Sequence, residues 1–262
     1  MTAHRCPVCA TATVPTHALT ILSSLERTLH WCPDCGHSFF PEPDWLPEAY
    51  ESSIASTDVG LVERSLRLAN VTTAYLVRFP GDGPILDFAA GTGLMVRVLR
   101  DRGFDARYFD EYGPNHLAKG FEVSAQPPER YRLITAVEVA EHLVDPVAEF
   151  RRLASLSDAI LFTTQLGPRD TPPPADWDYL SPGTGQHISF YSPASLAKLA
   201  ELLGFHVVSR GDMHLLSKTK VSARTWRLIT TNAVGHTLAA FRRSHSLSGS
   251  DHEQALADLQ RF

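Results

Sequence analysis

The sequence lacks the excess of positive charge that nucleic-acid-binding proteins usually carry. Its 262 residues contain 24 lysines and arginines against 29 aspartates and glutamates, which gives a net charge of −5. It has no run of about 20 consecutive apolar residues, the length that a membrane-spanning helix needs, and its N-terminus lacks the apolar segment of a signal peptide. We therefore expect a cytoplasmic protein with no membrane partner, for which a nucleic-acid substrate is not favoured.

Cysteine is scarce, but its four copies are closely grouped. They form two Cys-x-x-Cys pairs within the first 35 residues, Cys6 with Cys9 and Cys32 with Cys35. Each pair can supply two thiolates to one tetrahedral ion, and the spacing is typical of a zinc ribbon. Four protein ligands leave no open position, so we expect a structural Zn²⁺ site; disulfides or unrelated thiols are the alternatives. The adjacent His37 is expected at the surface.

The glycine-rich turn near residue 90 lacks the third glycine of a dinucleotide-binding fingerprint. An apolar run at 84–88 leads into Gly91 and Gly93, and residues 94–102 follow with helical spacing. This strand–turn–helix order predicts a nucleotide site, because glycines let a ligand approach the backbone closely. Asp87 stands just before the turn, where a carboxylate would repel a pyrophosphate but tolerate a cationic ligand.

A second acid is expected to bind a ribose. The segment 105–111 reads as the next strand, and Asp110 stands at its end, 23 residues after Asp87. An acid at this position accepts hydrogen bonds from ribose hydroxyls in several nucleotide-binding folds. Asp110 is the preferred residue and Glu111 the alternative, while a role in the turn alone stays open.

The turn resembles the class I S-adenosylmethionine (SAM) methyltransferases, whose pattern is acid-x-Gly-x-Gly-x-Gly. Asp87, Ala89, Gly91 and Gly93 match this pattern, with alanine in place of the first glycine. SAM carries a sulfonium and an amino group but no pyrophosphate, which agrees with the carboxylate before the turn. The resemblance implies that these four residues, and the acid at 110 or 111, contact SAM.

A second stretch resembles the same family more specifically. Residues 131–143 predict a strand with Glu138 near its carboxyl end, where ligands bind in open α/β sheets. The letters Glu-Val-Ala-Glu-His-Leu at 138–143, followed by Asp-Pro, resemble the fourth motif of ubiquinone-type and sugar methyltransferases. The resemblance implies that Glu138 lies near SAM or near the acceptor. Glu141 and His142 could also be read as metal ligands, but their position beyond the strand tip favours this less.

The segment before the core also resembles small-molecule methyltransferases. In that family the corresponding lead-in lies over the cofactor, which implies SAM contacts for Tyr50 and, as a further candidate, Arg64 in the run around Asp58. The helix that we predict at 59–79 has an apolar stripe, so packing is its favoured role.

Residues 186–192 resemble the Glu-His-x-Ser-x-Tyr-Ser stretch of zinc-containing sugar C-methyltransferases, which helps to deprotonate the substrate. Gln186 replaces the usual glutamate, and His187 and Tyr191 match. The resemblance implies that Gln186, His187, Tyr191 and Glu138 are catalytic. His187 is the expected base, since the pKa of an unperturbed histidine is about 6.5; a histidine that only caps or packs the next helix is the alternative.

The order of elements predicts an α/β protein. We expect a Rossmann-like, doubly wound, seven-stranded sheet with an antiparallel last strand, preceded by the small zinc ribbon. The predicted domains are a zinc ribbon at 1–40, a linker and helical lead-in at 41–80, a SAM-dependent methyltransferase core at 81–217 and a C-terminal helical extension at 218–262.

Four smaller elements complete this prediction. Residues 120–123 are a candidate third strand, 193–203 a helix, and 205–216 the closing hairpin. One helix is expected near 223–243 with a polar tail after it, which leaves a homodimer open.

The resemblance implies an enzyme of the EC 2.1.1 type that moves the methyl group of SAM to a carbon or oxygen of a small organic acceptor, in biosynthetic tailoring. One alternative is a protein or RNA methyltransferase that uses the ribbon as a substrate reader. Residues 1–40 contain only Arg5 and Arg27 as fixed cations, which disfavours it. The other alternative is a non-catalytic protein that binds zinc and SAM.

Overall fold

The computed structural model describes residues 4–51, 59–124 and 130–259. Asp58, which belongs to the predicted lead-in, lies outside these ranges. The described residues belong to two compact units. Unit 1 comprises Met1–Ala55, Glu138–Ser155 and Phe162–Val221, and unit 2 comprises Ser56–Val137, Leu156–Leu161 and Ser222–Phe262.

The elements alternate between strands and helices along most of the chain. The strands are β1 Val14–Ile21, β2 Leu25–Trp31, β3 Ser38–Phe39, β4 Ile85–Phe88, β5 Ala106–Phe109, β6 Leu133–Ala136, β7 Ala159–Thr163, β8 Ser189–Phe190, β9 His206–Arg210 and β10 Met213–Ser217. The α-helices are α1 Leu46–Ala49, α2 Leu61–Arg78, α3 Leu94–Arg100, α4 Pro146–Leu156, α5 Pro193–Leu203, α6 Ala223–Ile229, α7 Asn232–Arg242 and α8 Ser248–Leu259.

The ribbon of unit 1 is a four-stranded sheet with the order β1-β2-β3-β8. β1 and β2 form an antiparallel hairpin, and β3 pairs antiparallel with β8, with Ser38 opposite Phe190. One apolar cluster lies against this sheet and includes Ile21, Leu29 and Tyr179. A strand from late in the chain therefore completes the ribbon, which the sequence did not indicate.

The six-stranded sheet has the order β5-β4-β6-β7-β10-β9. β4 pairs parallel with β5 and with β6, while β9 and β10 form an antiparallel hairpin. Every residue of β4 and β6 is buried and most are apolar, as expected of central parallel strands. The boundary between the units falls within β7, so this strand belongs to both. The predicted α/β class, the mixed sheet and the antiparallel end are confirmed.

The third strand that we predict at 120–123 is present only as an isolated β-bridge. Within the described residues the sheet has six strands, and the 120–123 segment contributes only a parallel bridge between Glu122 and Tyr108 of β5. Gly120 has a φ of +86°, a left-handed conformation that does not continue a strand. The seventh strand is therefore present as one bridged residue beside β5.

The helices of unit 2 pack closely around α2. A Cβ atom at Gly235 of α7 would lie 2.4 Å from the carbonyl oxygen of Asn70, so glycine is needed for this approach. The prediction of one helix at 223–243 is wrong. The structure has two helices there: α6 ends at Ile229, and α7 begins at Asn232 after its N-cap Thr231. The polar tail is largely helical, as α8. In the described part of the chain, no helix combines the length and hydrophobicity that crossing a bilayer requires.

Candidate functional site

The four cysteine sulfurs of unit 1 lie within 4.8 Å of one another. The Sγ atoms of Cys6 and Cys35 are 3.6 Å apart, and those of Cys9 and Cys32 are 3.4 Å apart. A tetrahedral zinc ion with Zn–S bonds of about 2.3 Å places its sulfurs about 3.8 Å apart, whereas a disulfide requires about 2.05 Å. The four sulfurs therefore fit one tetrahedral ion and do not fit disulfide pairing.

The two cysteine pairs have the same backbone geometry. The N–H of Ala10 donates to the carbonyl of Cys6, and the N–H of Gly36 donates to that of Cys32, at 2.9 and 2.8 Å. Ala10 and Gly36 both have left-handed φ values, +61° and +71°. Because both pairs have this turn, the two sulfurs of each pair point toward the same place, as in a zinc knuckle.

The position of His37, next to this cluster, differs from the prediction. His37 was expected at the surface, but it is fully buried, and its Nε2 lies 3.3 Å from the hydroxyl oxygen of Ser189 in β8. Burial lowers the pKa of His37 to about 3. Burial also raises the pKa of the Cys32 thiol to about 11, so a bound cation is what would keep this sulfur ionised at neutral pH.

The turn after β4, in unit 2, has a regular left-handed pattern. Ala89, Gly91 and Gly93 have φ values of +55°, +53° and +79°. These are the three alternate positions at which the methyltransferase pattern places glycine. A non-glycine residue in this conformation costs roughly 1–2 kcal/mol, so Ala89 is strained. The backbone thus keeps the conformation of the pattern although the first glycine is missing.

The two glycines of the turn have different surroundings. A Cβ atom at Gly93 would lie 2.8 Å from the Cβ of Ala118, so Gly93 is required for packing. A Cβ atom at Gly91 would meet no heavy atom within 4 Å among the described residues. The backbone at Gly91 is therefore open to a ligand, as the sequence predicts for a nucleotide site.

The acid at the end of β5 is tied to this turn. The Asp110 carboxylate accepts hydrogen bonds from the N–H groups of Gly91 at 2.7 Å, Tyr112 at 2.8 Å and Gly113. A carboxylate can accept about four such bonds, so capacity remains for a ligand hydroxyl. Glu111 is exposed. The geometry favours Asp110 over Glu111 as the residue at the nucleotide turn.

Asp87 has a different environment from Asp110. It is 1% exposed, and the Thr135 hydroxyl donates to its Oδ1 at 2.7 Å. Burial raises the pKa of Asp87 to about 7, with a smaller contribution from the charge of Asp110. A cationic ligand near the turn would favour the ionised form of Asp87. An open backbone together with two carboxylates fits SAM better than a ligand with a pyrophosphate.

Glu138, in unit 1, follows β6 and has a left-handed φ of +51°. Its side chain accepts a hydrogen bond from the Thr163 hydroxyl at 2.6 Å, and its N–H donates to the same hydroxyl at 2.8 Å. Strained non-glycine residues at strand ends often belong to functional sites. The structure thus places Glu138 in a constrained conformation at the tip where the sequence predicts it.

A group of aromatic and polar side chains surrounds His187 in unit 1. The Nδ1 of His187 lies 2.6 Å from the carbonyl oxygen of Tyr179, and the Nδ1 of His142 lies 2.9 Å from the Tyr50 hydroxyl. The two histidine rings meet edge to face, with centroids 5.0 Å apart. Tyr50, expected beside the cofactor, is therefore a partner of His142. Arg64 lies in α2 of unit 2.

Glu141 is the least solvated acid of this group. It is fully buried, and among the described residues neither of its carboxylate oxygens has a hydrogen-bond partner. Burial raises the pKa of Glu141 to about 8, and the charge of Glu138 adds to this. The hydroxyls of Tyr179 and Thr164 lie near enough to favour its charged form; they also bond to each other at 3.1 Å, so one O–H remains for Glu141.

Two of the residues expected to be catalytic are bonded to backbone carbonyls. The Gln186 side-chain NH₂ donates to the carbonyl of Ala49 at 2.8 Å, which an ionised glutamate could not do. The fully buried Tyr191 donates its hydroxyl to the carbonyl of Ala140 at 2.9 Å. Both contacts hold neighbouring segments in place, and the catalytic roles expected of Gln186 and Tyr191 stay predictions.

The predicted residues therefore form separate groups. Unit 2 brings together the nucleotide-turn residues Asp87, Ala89, Gly91, Gly93 and Asp110. Unit 1 brings together the His187 group and, apart from it, the cysteines. The contact of the Tyr179 carbonyl with His187 was not predicted. The sequence indicated Tyr179 only as an aromatic residue in a long, proline-rich loop, suited to a lid over the acceptor or to packing on the core.

The chain was compared with known proteins. A family model described as a methyltransferase domain matches residues 63–210. No curated protein matches the chain.

Several solved structures are similar at low identity. Magnesium protoporphyrin IX methyltransferase from Synechocystis PCC 6803, with bound SAM, is 16% identical, with 66% of this chain and 92% of that chain covered and a TM-score of 0.41. A SAM-dependent methyltransferase from Thermotoga maritima is 12% identical, with 68% and 97% covered and a TM-score of 0.43. The O-methyltransferase NcsB1 of neocarzinostatin biosynthesis is 16% identical, with 59% and 57% covered and a TM-score of 0.41. These likenesses are too weak to carry a functional argument.

The family model carries the assignment, because it covers more than half of the chain and includes the whole β4 turn, Asp110 and Glu138. The prediction of a methyltransferase is confirmed: the chain belongs to the methyltransferase-domain family.

Proposed function

We propose that this protein is a SAM-dependent methyltransferase that transfers a methyl group to a carbon or oxygen of a small organic acceptor. The observation that carries the proposal is the turn after β4, in which Ala89, Gly91 and Gly93 are all left-handed and the N–H of Gly91 is held by Asp110. The strain at Ala89 supports a functional role for this conformation, since a turn without a ligand would have no need of it.

Donor binding is assigned to unit 2. The open backbone at Gly91 would contact the cofactor, and Asp110 would accept a hydrogen bond from a ribose hydroxyl. Asp87 would provide negative charge near the cationic part of the ligand. When bound, SAM supplies an electrophilic methyl group on its sulfonium. Holding two reactants in a fixed arrangement is a large part of the rate enhancement in such transfers.

Proton removal from the acceptor is assigned to His187. A carbonyl oxygen can only accept a hydrogen bond, so the contact with Tyr179 places the proton of the neutral ring on Nδ1. Nε2 then carries the lone pair that a base needs. Gln186 and Tyr191 would act as positioning residues, because they hold the segments around Ala49 and Ala140. Glu138 would lie at the cofactor or the acceptor.

The cysteine cluster is proposed to hold a structural zinc ion. Four sulfur ligands would complete the coordination of the ion, so the ion would have no position for a substrate. Its role would be to hold the two knuckles of the ribbon together.

The ribbon offers little support for an RNA or protein reader. Its two fixed cations are engaged within the described residues: Arg27 pairs with Asp44 at 2.8 Å, and Arg5 donates to the carbonyl of Ala10 at 3.0 Å. Two fixed cations, one of them paired with a carboxylate, give residues 4–40 little positive charge for a nucleic acid. This supports a small-molecule acceptor over the alternative.

The test is a binding and turnover experiment on the full chain. Calorimetry would measure SAM and NAD⁺ affinity, and release of S-adenosylhomocysteine would be followed with a panel of sugars, phenols and polyketides. We expect SAM binding, no NAD⁺ binding and turnover on at least one acceptor. SAM binding without turnover on any acceptor would favour a non-catalytic binding protein, and absence of SAM binding would refute the proposal.

A matched pair of histidine variants tests the proposed base. His187→Asn should keep SAM affinity and lower turnover by about 10²- to 10⁴-fold, the usual contribution of a general base. His206→Asn changes an exposed histidine of β9 and should leave both unchanged. Equal turnover in the two variants would remove His187 from the chemistry.

A further inference from the structure

Glu141 is a fully buried acid that lies close to two histidines. Its side chain is fully buried, and within the described part of the chain neither carboxylate oxygen is hydrogen-bonded. An ionised carboxylate without partners costs several kcal/mol to bury. Buried polar groups of this kind usually have a partner that the protein alone does not supply, such as a water or an ion.

Two histidines converge on this acid. One potential ligand atom from each of Glu141, His142 and His187 lies within 4.8 Å of the other two. The three residues come from two segments more than forty positions apart in sequence, so their approach is a product of the fold. A cation placed among them would meet one carboxylate and two imidazoles.

Both histidines are held by a second group, as metal-binding histidines usually are. The Nδ1 of His187 lies 2.6 Å from the Tyr179 carbonyl oxygen, and the Nδ1 of His142 lies 2.9 Å from the Tyr50 hydroxyl. If Nδ1 donates in both contacts, Nε2 is the ligand atom of each ring. The contact with a carbonyl requires this for His187.

We propose that Glu141, His142 and His187 form a second metal site, which holds one divalent transition-metal ion separate from the ion of the four cysteines. Two imidazoles and a carboxylate suit Zn²⁺, Fe²⁺, Co²⁺ or Ni²⁺. Three protein ligands leave at least one coordination position for a water or a substrate oxygen, in contrast to the closed cysteine site.

Other polar groups near the three residues do not replace a cation. The hydroxyls of Thr164 and Tyr179 bond to each other at 3.1 Å, which leaves one O–H that can donate to Glu141. The carbonyl of Gln186 lies near His142 and favours the protonated form of that ring. Glu138, the second acid nearby, adds negative charge. None of these groups supplies a positive charge to Glu141.

This site deepens the proposed function and rests on it for its chemical role. An oxygen of the acceptor would take the open position, so the acceptor class would carry a hydroxyl or carbonyl oxygen at or beside the methylated atom. A bound divalent ion lowers the pKa of a hydroxyl on it. With the ion present, His187 would be a ligand and not the base, and the acidified acceptor would release its proton to solvent water. The acceptor atom would then take the methyl group as the C–S bond of the sulfonium breaks, which leaves S-adenosylhomocysteine.

The test counts the metal ions that the full chain binds. The protein would be titrated with Co²⁺, and absorption spectroscopy would separate the sites, since only the cysteine site gives thiolate-to-cobalt charge transfer. We expect a first equivalent with charge transfer and a second with ligand-field bands alone. Elemental analysis after dialysis against Zn²⁺ should give two ions per chain.

Variants assign the second ion to the three residues. Glu141→Gln and His187→Gln should each lose the second equivalent and keep the first, whereas Glu149→Gln and His206→Asn should keep both. His187 is only part-buried, so His187→Gln tests the site even if Glu141→Gln fails to fold. One ion per chain in the wild type, or a second ion retained in both test variants, would overturn the proposal.

The same experiment separates this inference from the proposed function. A chain that binds SAM and methylates an acceptor but holds only one ion refutes the second metal site alone. A chain that holds two ions but binds no SAM refutes the methyltransferase proposal alone.

Discussion

The carboxylate of Asp110 accepts a hydrogen bond from the N–H of Gly91, with the two heavy atoms 2.7 Å apart. This bond connects the end of β5 to the turn after β4. The Tyr108 hydroxyl supports the same turn by donating to the carbonyl of Gly91 at 2.8 Å. The acid that would bind the ribose therefore also fixes the backbone that would contact the rest of the cofactor.

Replacing Asp110 should weaken SAM binding through both effects. Asp110→Asn loses the charge that strengthens the bond to Gly91 and to a ribose hydroxyl, and bonds to charged groups contribute about 1.5–3 kcal/mol. We expect SAM affinity to fall at least tenfold by calorimetry. Glu111→Gln changes the neighbouring exposed acid and should leave affinity nearly unchanged. Equal effects in the two variants would contradict the assignment.

Substitution by glycine should have opposite effects on the unfolding free energy at Ala89 and at Ala90. Ala89 has a φ of +55°, whereas Ala90 does not have a positive φ. Ala89→Gly removes a strain of roughly 1–2 kcal/mol, partly offset by the greater freedom of glycine in the unfolded chain, so unfolding free energy should rise by about 0.5–1 kcal/mol. Ala90→Gly should lower it by about 0.5–1 kcal/mol. Denaturant unfolding measures both, and a loss of stability in Ala89→Gly would show that its conformation is unstrained.

Asp87 should make stability depend on pH. Its pKa is about 7 in the folded protein, because of burial, against 3.8 ordinarily. The folded state therefore holds a proton that the unfolded state has released, and stability falls as pH rises between these two values. From pH 5 to pH 8 the wild type should lose roughly 2–3 kcal/mol relative to Asp87→Asn, by linkage. Parallel stability curves for the two proteins would rule out the raised pKa.

The thermal stability of the ribbon should depend on the zinc ion that we propose for the four cysteines. Cys32→Ser removes one of four sulfur ligands, so the variant should lose the ion that gives thiolate-to-cobalt charge transfer and unfold at a lower temperature. Asp34→Asn alters an exposed residue within the same knuckle and should keep the ion. The measurements are cobalt absorption and thermal unfolding. Full retention of the charge-transfer band in Cys32→Ser would exclude a four-sulfur site.

The β4 turn and the two cysteine turns could be predicted from the sequence, because each depends on residues close together in the chain. The spacing of Asp87, Gly91 and Gly93 specifies a strand, a turn and a helix within ten residues, and the two cysteine pairs specify two turns. The left-handed conformation of Ala89 could be expected only from the resemblance, because alanine itself does not favour it.

The environments of buried polar residues were not predictable in the same way. His37 was expected at the surface because of its polarity, but pairing of β3 with β8 buries it beside Ser189. Glu141 acquires its neighbours from residues 164, 179 and 187, which no spacing in the sequence connects to it. Such contacts depend on tertiary packing, which a single sequence does not reveal.

The pairing of Ser38 with Phe190 has a consequence for biosynthesis. The four cysteines leave the ribosome about 150 residues before β8, so the knuckles would be able to bind the proposed zinc ion long before the sheet is complete. The ribbon sheet, in contrast, cannot gain its fourth strand until residue 190 has emerged, since β8 belongs to it. The edge of β3 therefore stays uncovered while about 150 further residues are made, and the proposed zinc ion would stabilise the nascent ribbon during that interval.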